Sequence, residues 1–211
     1  MSDQPQHRIC DHYEACFQKH GDTPQGVDWP NEQDAITRYR VMLDVARLKP
    51  REETASLLDF GCGTGALLDY MQRHEIEGFS YSGLDLSRAF VEAARHKHPS
   101  NDFYQLDILE NPDTIPQFDY VIMNGVFTEK LGISYEAMLA AVFSKCRVGM
   151  AFNVMSKHVD WEREDLFHVP FDTMAALLKA RLTRHVSFRF DYGLYEYTVY
   201  AYHHPTIPPL T

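Results

Sequence analysis

No run of apolar residues in this sequence approaches the roughly 20 needed to cross a bilayer as a helix. The start, Met1-Ser2-Asp3-Gln4-Pro5, has neither the basic nor the apolar region of a secretory signal. Cysteine is scarce as well. Cys10, Cys16, Cys62 and Cys146 in 211 residues are too few for a disulfide framework and suit free thiols in a reducing compartment. The expectation is a cytoplasmic protein with no membrane partner.

Basic residues are outnumbered, with 20 Lys and Arg against 30 Asp and Glu, and no Lys/Arg-rich run offsets the formal charge of −10. Affinity for nucleic acid is dominated by neutralisation of phosphates, so DNA or RNA is disfavoured as a partner. Internal repeats and low-complexity tracts are missing too. What the chain does hold is 45% hydrophobic and 13% aromatic residues, enough for the core of one domain and too much for a disordered chain.

The rest of the sequence is organised around residues 57–68. Apolar residues run into Asp59 and Phe60, glycines follow at 61, 63 and 65, and Ala66, Leu67, Leu68, Tyr70 and Met71 resume with helical spacing. This pattern predicts a strand, a tight turn, and a helix whose first N–H groups face the space above the turn. Phe79 to Leu84 is a second short apolar run. It ends in Asp85, 24 residues after Gly61, about where such a unit places a carboxylate that accepts ribose hydroxyls. A third run, Phe103-Tyr104-Gln105-Leu106, closes on Asp107. Three carboxylates ending three successive strands describe a ligand-lined sheet edge. The plainer reading of each is a helix cap or a strand-end turn.

Before this unit, Ile9, Tyr13, Cys16 and Phe17 keep a helical stripe that should end near Gly21. His12, Cys16 and His20 share one face of that helix. At 1.5 Å per residue the two histidines lie about 12 Å apart, too far to close on one zinc ion, and no metal site is expected. Asp22 to Gly26 is turn chemistry, and Trp29-Pro30 precedes a helix over 31–48.

Beyond it come a helix over 87–98 capped by Ser87 and stopped by Pro99, and a strand over 118–123 apolar enough to be buried on both faces. Asn124-Gly125-Val126-Phe127 then falls at that strand's carboxyl end, and a helix over 134–144 and a strand over 147–154 repeat the unit. After a helix over 172–181, strands at 184–190 and 195–203 are joined by Asp191-Tyr192-Gly193-Leu194 as a hairpin. Alternating strands and helices predict a parallel sheet covered on both faces, with ligands at its carboxyl edge; the hairpin adds an antiparallel strand.

Asp59-x-Gly61-x-Gly63-x-Gly65, then Asp85, then Asp107-Ile108, resembles the S-adenosylmethionine-binding signature of class I methyltransferases, over roughly residues 35–203. Gly26-Val27-Asp28-Trp29, Arg38-Tyr39 and Tyr195-Glu196-Tyr197-Thr198 are similar to stretches of small bacterial methyltransferases of unassigned substrate. The resemblance implies an α/β fold, a Rossmann-like seven-stranded, mostly parallel sheet with helices on both faces and a C-terminal antiparallel hairpin strand. It implies a single domain over 1–211, with 1–30 as a lid segment and 31–204 as the core. The implied cofactor is S-adenosyl-L-methionine and the implied reaction is in-line methyl transfer to a small-molecule acceptor.

On the same resemblance, Asp85 and Leu86 serve the ribose, and the Asp107 side chain and Ile108 amide serve the adenine. Asp59, Gly61, Cys62 and Gly63 surround the methionine moiety, Asn124 and Gly125 lie beside it, and Arg38 meets its carboxylate. The acceptor side would hold Tyr13, Trp29 and Phe127, with Glu129, Trp161 and His168 in overhanging segments. His158 is the candidate base, against the reading of a solvated loop histidine. Because the leaving thioether is already good, alignment and exclusion of water can supply most of the acceleration, and a base is needed only if the acceptor must lose a proton. Three competitors stand beside this reading. A nicotinamide-dependent dehydrogenase prefers Gly-x-Gly-x-x-Gly. A cofactor-binding module would have lost catalysis, and a transferase of the same fold would move another group of the cofactor.

Overall fold

The computed structural model describes residues 5–27, 31–127, 135–162, 164 and 166–207. Two helices precede the sheet, α1 (Pro5–His20) and α2 (Glu32–Leu43). The alternating core follows: β1 (Ala55–Phe60), α3 (Ala66–Arg73), β2 (Phe79–Asp85), α4 (Arg88–Lys97), β3 (Asp102–Gln105), β4 (Phe118–Phe127), α5 (Tyr135–Phe143) and β5 (Cys146–Ser156). The chain closes with β6 (His168–Val169), α6 (Phe171–Arg181), β7 (His185–Arg189) and β8 (Glu196–Tyr202).

Local chemistry sets the ends of these elements. Gly21 stops α1 with φ +66°, its N–H donating to Phe17 O at 2.8 Å. Asn31 starts α2 by accepting the Asp34 N–H at 2.8 Å. That helix is shorter than its periodicity predicts, because a tighter 3₁₀ turn over Asp44–Ala46 takes up its last residues. Ser87 caps α4 as expected, its hydroxyl accepting the Phe90 N–H at 3.1 Å.

The strands run in the order β3-β2-β1-β4-β5-β8-β7, parallel from β3 to β5, with β8 antiparallel to both β5 and β7. The seven-stranded path and the closing hairpin follow the sequence pattern, and the two-residue β6 pairs with the end of β5 as an eighth strand. Central strands bury both faces, so neighbours in sequence belong to different cores. Leu58, Val121 and Met123 pack with α5 and α6 on one face. Leu57, Tyr120 and Ile122 pack with α2, α3 and α4 on the other. Tyr200 and Tyr202 of β8 reach across that second core and donate to the Val41 and Val45 carbonyls at 2.6 and 3.0 Å, which fixes α2 against the sheet.

One boundary differs in a way that matters for the site. The fourth strand does not stop at Met123 but continues through Asn124-Gly125-Val126 to Phe127, with a register shift against β5 between Met123 and Phe127. Gly125 has φ +76°, a left-handed conformation that side chains rarely tolerate. The segment is a bulge within a strand, and a polar dipeptide in an apolar run is what hid it from the periodicity.

Candidate functional site

A cavity of about 470 Å³ opens at the carboxyl edge of β1, β2 and β4. Its floor is the turn between β1 and α3. Gly61 and Cys62 donate their N–H groups to Leu84 O at 2.8 and 3.0 Å, which draws the turn against the end of β2. Gly61 has φ +76°, and a Cβ there would stand 2.9 Å from Val126 of the bulge. Glycine is therefore required where the turn meets β4.

Asp85 ends β2 beneath this turn. One carboxylate oxygen accepts the Gly63 N–H at 2.8 Å and the other the Ser87 N–H at 2.9 Å. The carboxylate keeps acceptor capacity for a further donor. Burial raises the Asp85 pKa, against the three backbone N–H groups of Ser87, Gly63 and Leu86 that favour its charge. Asp59 is more deeply set, 3% exposed, and accepts the Tyr81 hydroxyl at 2.7 Å. Burial pushes its pKa up to about 7; the Tyr81 hydrogen bond opposes this and the Asp85 charge adds to it. Asp107 holds the turn after β3 by accepting the Leu109 N–H at 2.9 Å, and Ile108 beside it is buried.

The carboxylates that line the cavity are Asp22, Glu32, Asp59, Asp69, Asp85 and Asp107, and Arg73 is the one Arg or Lys lining it among the described residues. The N-terminal segment forms much of the roof, contributing Cys10, Tyr13, Asp22, Thr23 and Val27. It is tied down at three places. The Ser87 hydroxyl donates to Glu14 at 2.6 Å, the rings of Phe17 and Phe90 meet edge-on at 5.3 Å, and Lys97 bridges Asp22 and Asp69 at 2.8 and 2.7 Å. Thr64 also donates its hydroxyl to Asp22. Burial and the neighbouring Glu14 and Asp85 charges push the Cys10 thiol up to about 12, so it stands here as a neutral wall group. Burial raises the Cys62 thiol as well.

Of the residues singled out in the sequence, Asp59, Gly61, Cys62, Gly63, Asp85, Leu86, Asp107, Ile108, Asn124, Gly125 and Tyr13 come together around this one cavity. Arg38 does not. It lies on α2, its Nε donates to both oxygens of Glu196 at 3.1 and 3.0 Å, and it is not part of the cavity wall. Phe127 is 4% exposed and packs edge-on against Phe152 at 5.9 Å, because the bulge before it turns its side chain into the core. His158 lies beyond β5 with its ring 5.5 Å from that of Phe171, away from the cavity wall. Trp29 and Glu129 lie outside the described residues.

Sequence reasoning missed Glu14, Asp22 and Asp69, whose helix and turn positions carry no periodic signal. It also passed over Gly83, although a glycine inside a strand signals close approach. A Cβ there would stand 2.6 Å from Phe103 and 2.8 Å from Cys62 Sγ.

The Methyltransferase domain family matches residues 58–149, from β1 into β5. Rv1506c of Mycobacterium tuberculosis, a protein named as a methyltransferase, is 32% identical over 158 residues, spanning 68% of this chain and 90% of that one. Two solved structures share the fold. The magnesium protoporphyrin IX methyltransferase of Synechocystis, with bound S-adenosylmethionine, superposes with a TM-score of 0.66 at 16% identity, over 95% of this chain and 98% of that one. The 1,6-didemethyltoxoflavin-N1-methyltransferase of Burkholderia thailandensis, with bound 1,6-didemethyltoxoflavin and S-adenosylhomocysteine, does so at 0.64 and 17% identity, over 96% and 91%.

Proposed function

Since this chain belongs to the methyltransferases, we propose that it uses S-adenosylmethionine as its cofactor and methylates a small-molecule acceptor in the cytoplasm, with the segment 1–30 as a lid over the site. The observation that carries this is one cavity joining the turn after β3, the Asp85 carboxylate, the glycine turn and the β4 bulge.

The residues present fit the cofactor. Asp85 offers a carboxylate whose remaining acceptor capacity suits a ribose hydroxyl, and its backbone bonds fix the carboxylate before anything binds. Gly63, with φ +54° and no backbone within 4 Å of a built Cβ, leaves that approach open. Asp107 and the Ile108 amide suit an amino-pyrimidine edge, and Asp59 together with Asn124 suits an ammonium. When bound, the cofactor would supply a methyl group on a sulfonium: the acceptor's nucleophile would bond to the methyl carbon in line as the C–S bond breaks and S-adenosylhomocysteine leaves as a neutral thioether. The chain's own contribution is alignment and a wall of carboxylates that favours cationic character.

A small acceptor is supported by the cavity volume of about 470 Å³, which the acceptor would share with the cofactor, and by the deficit of basic residues, which opposes a polynucleotide. The two structural neighbours are named for a porphyrin and a toxoflavin precursor, both compact molecules. Tyr13 on the roof is the acceptor-side residue that lines the cavity. No helix among the described residues is long and apolar enough to cross a membrane.

Calorimetry tests the site. S-adenosylhomocysteine should bind and NAD should not, and Asp85→Ala should weaken binding by about 1.5–3 kcal/mol, as expected for hydrogen bonds to a charged group. Unchanged affinity in a folded Asp85→Ala protein would remove Asp85 from the site.

A further inference from the structure

Four elements meet behind the β4 bulge through two buried side chains and one that is partly buried. Register between β4 and β5 runs to Met123 opposite Phe152 and resumes at Phe127 opposite Val154, so three residues of β4 face the single residue Asn153. The Gly125 N–H leaves the regular ladder there, and Asn153 Oδ1 accepts it at 2.8 Å. Asn153 Nδ2 donates to Glu196 Oε1 of β8 at 2.9 Å, and Glu196 in turn takes Arg38 Nε of α2 on both oxygens. Side-chain exposure is 1% for Glu196 and 14% for Arg38. None of the three lines the cavity, whereas Asn124 and Gly125 do.

A buried ion pair is a poor device for stability, because the desolvation of both charges consumes most of what their attraction returns, and apolar residues of like volume serve as well or better. Its better-attested use is to specify one arrangement among several. The arrangement specified here is the bulge. Asn124 Oδ1 is buried and has no hydrogen-bond partner among the described residues, and the neighbouring Val126 packs where Gly61 turns. An acceptor is thus held ready, beside the glycine turn, for a donor that has yet to arrive.

We propose that Arg38, Glu196 and Asn153 are positioning residues. They form a relay that holds the Gly125 bulge and so aims the Asn124 carboxamide oxygen at the ammonium of the cofactor's amino-acid tail. Arg38 then serves the cofactor from behind the sheet and not by touching its carboxylate. The inference rests on the methyltransferase reading.

The test uses two ligands on the full chain: S-adenosylhomocysteine, which carries the tail, and 5′-methylthioadenosine, which lacks it. Arg38→Met and Asn153→Ala should each lower S-adenosylhomocysteine affinity by about tenfold while leaving 5′-methylthioadenosine within about twofold. The double variant should lose little beyond the worse single one, as members of one network do. Hydrogen exchange at the Gly125 amide should quicken in both single variants, and Arg38→Lys should restore most of the affinity. If Asn153→Ala does not fold, Arg38→Met and Glu196→Gln carry the same comparison. Additive losses, or a loss in Arg38→Met with Gly125 exchange unchanged, would mean that Arg38 meets the ligand directly and would overturn the relay. Equal losses for both ligands would reduce the relay to scaffolding and overturn it too. A wild-type protein that binds neither ligand would defeat the cofactor reading and the relay's role together, an outcome distinct from variants that bind as wild type does.

Discussion

Replacing Asp59 by asparagine should stabilise the ligand-free protein and weaken cofactor binding, and the two effects should part with pH. The Asp59 carboxyl is 3% exposed, and burial pushes its pKa from the ordinary 3.8 to about 7. A raised folded-state pKa means that the folded chain holds a proton the unfolded chain has already released. The stability this contributes is fully present below about pH 4 and is lost as pH rises through about 7. Between pH 5 and 7 each pH unit removes about 1.4 kcal/mol, so going from pH 5 to 8 removes about 2–3 kcal/mol from this group alone. Asparagine has nearly the same shape, can still accept the Tyr81 hydroxyl, and does not titrate. The assay is urea unfolding of wild type and Asp59→Asn at pH 5 and pH 8 without ligand, read as the change in their difference. That difference should grow by about 2–3 kcal/mol towards pH 8, while calorimetry at pH 8 shows S-adenosylhomocysteine binding weakened by about tenfold, the order of a lost hydrogen bond to a charged group. Parallel pH profiles for the two proteins would refute the claim that the folded site holds Asp59 against ionisation.

Two further outcomes follow from the geometry of the roof and floor. Gly83→Ala should destabilise the fold by about 1–3 kcal/mol in urea unfolding, because its Cβ would stand 2.6 Å from Phe103 and 2.8 Å from Cys62 in a packed core. Wild-type stability in that variant would mean that both neighbours move aside freely. The roof should behave as a lid: hydrogen exchange in α1 should be fast without ligand, slow with S-adenosylhomocysteine, and faster still without ligand in Ser87→Ala, which loses the hydroxyl that holds Glu14. Uniformly slow exchange in every state would make α1 permanent scaffold.

The parallel core was legible because its signals are periodic. Short apolar runs separated by helical stretches, three of them closing on or beside an aspartate, fix strands and their carboxyl edge, and Asp59, Asp85 and Asp107 were singled out by that logic. What escaped was carried by pairs with no sequence rhythm. Arg38 and Glu196 are 158 residues apart, and only the fold of α2 against β8 brings them together. Asn153 interrupts the otherwise apolar stretch from Val148 to Met155, and one polar residue there gives no hint that it fills a bulge opposite Gly125. Ser87 was identified as a cap, yet its second bond, to Glu14 of α1, depends on where an N-terminal helix folds back.

The distribution of cost across the molecule ties these observations together. The two cores are apolar, and their strands follow ordinary geometry. Several costly features lie together at the carboxyl edge: a carboxyl whose pKa is raised to about 7, the raised Asp85 beside it, and an acceptor oxygen on Asn124 with no partner among the described residues. Donors from a ribose and an ammonium would satisfy the oxygens of Asp85, Asp59 and Asn124 and favour the charged form of both aspartates, so that binding recovers what folding gave up. That cost is drawn from the stability of the sheet, and the relay through Arg38, Glu196 and Asn153 is anchored there, in β5 and β8, and not in the N-terminal roof.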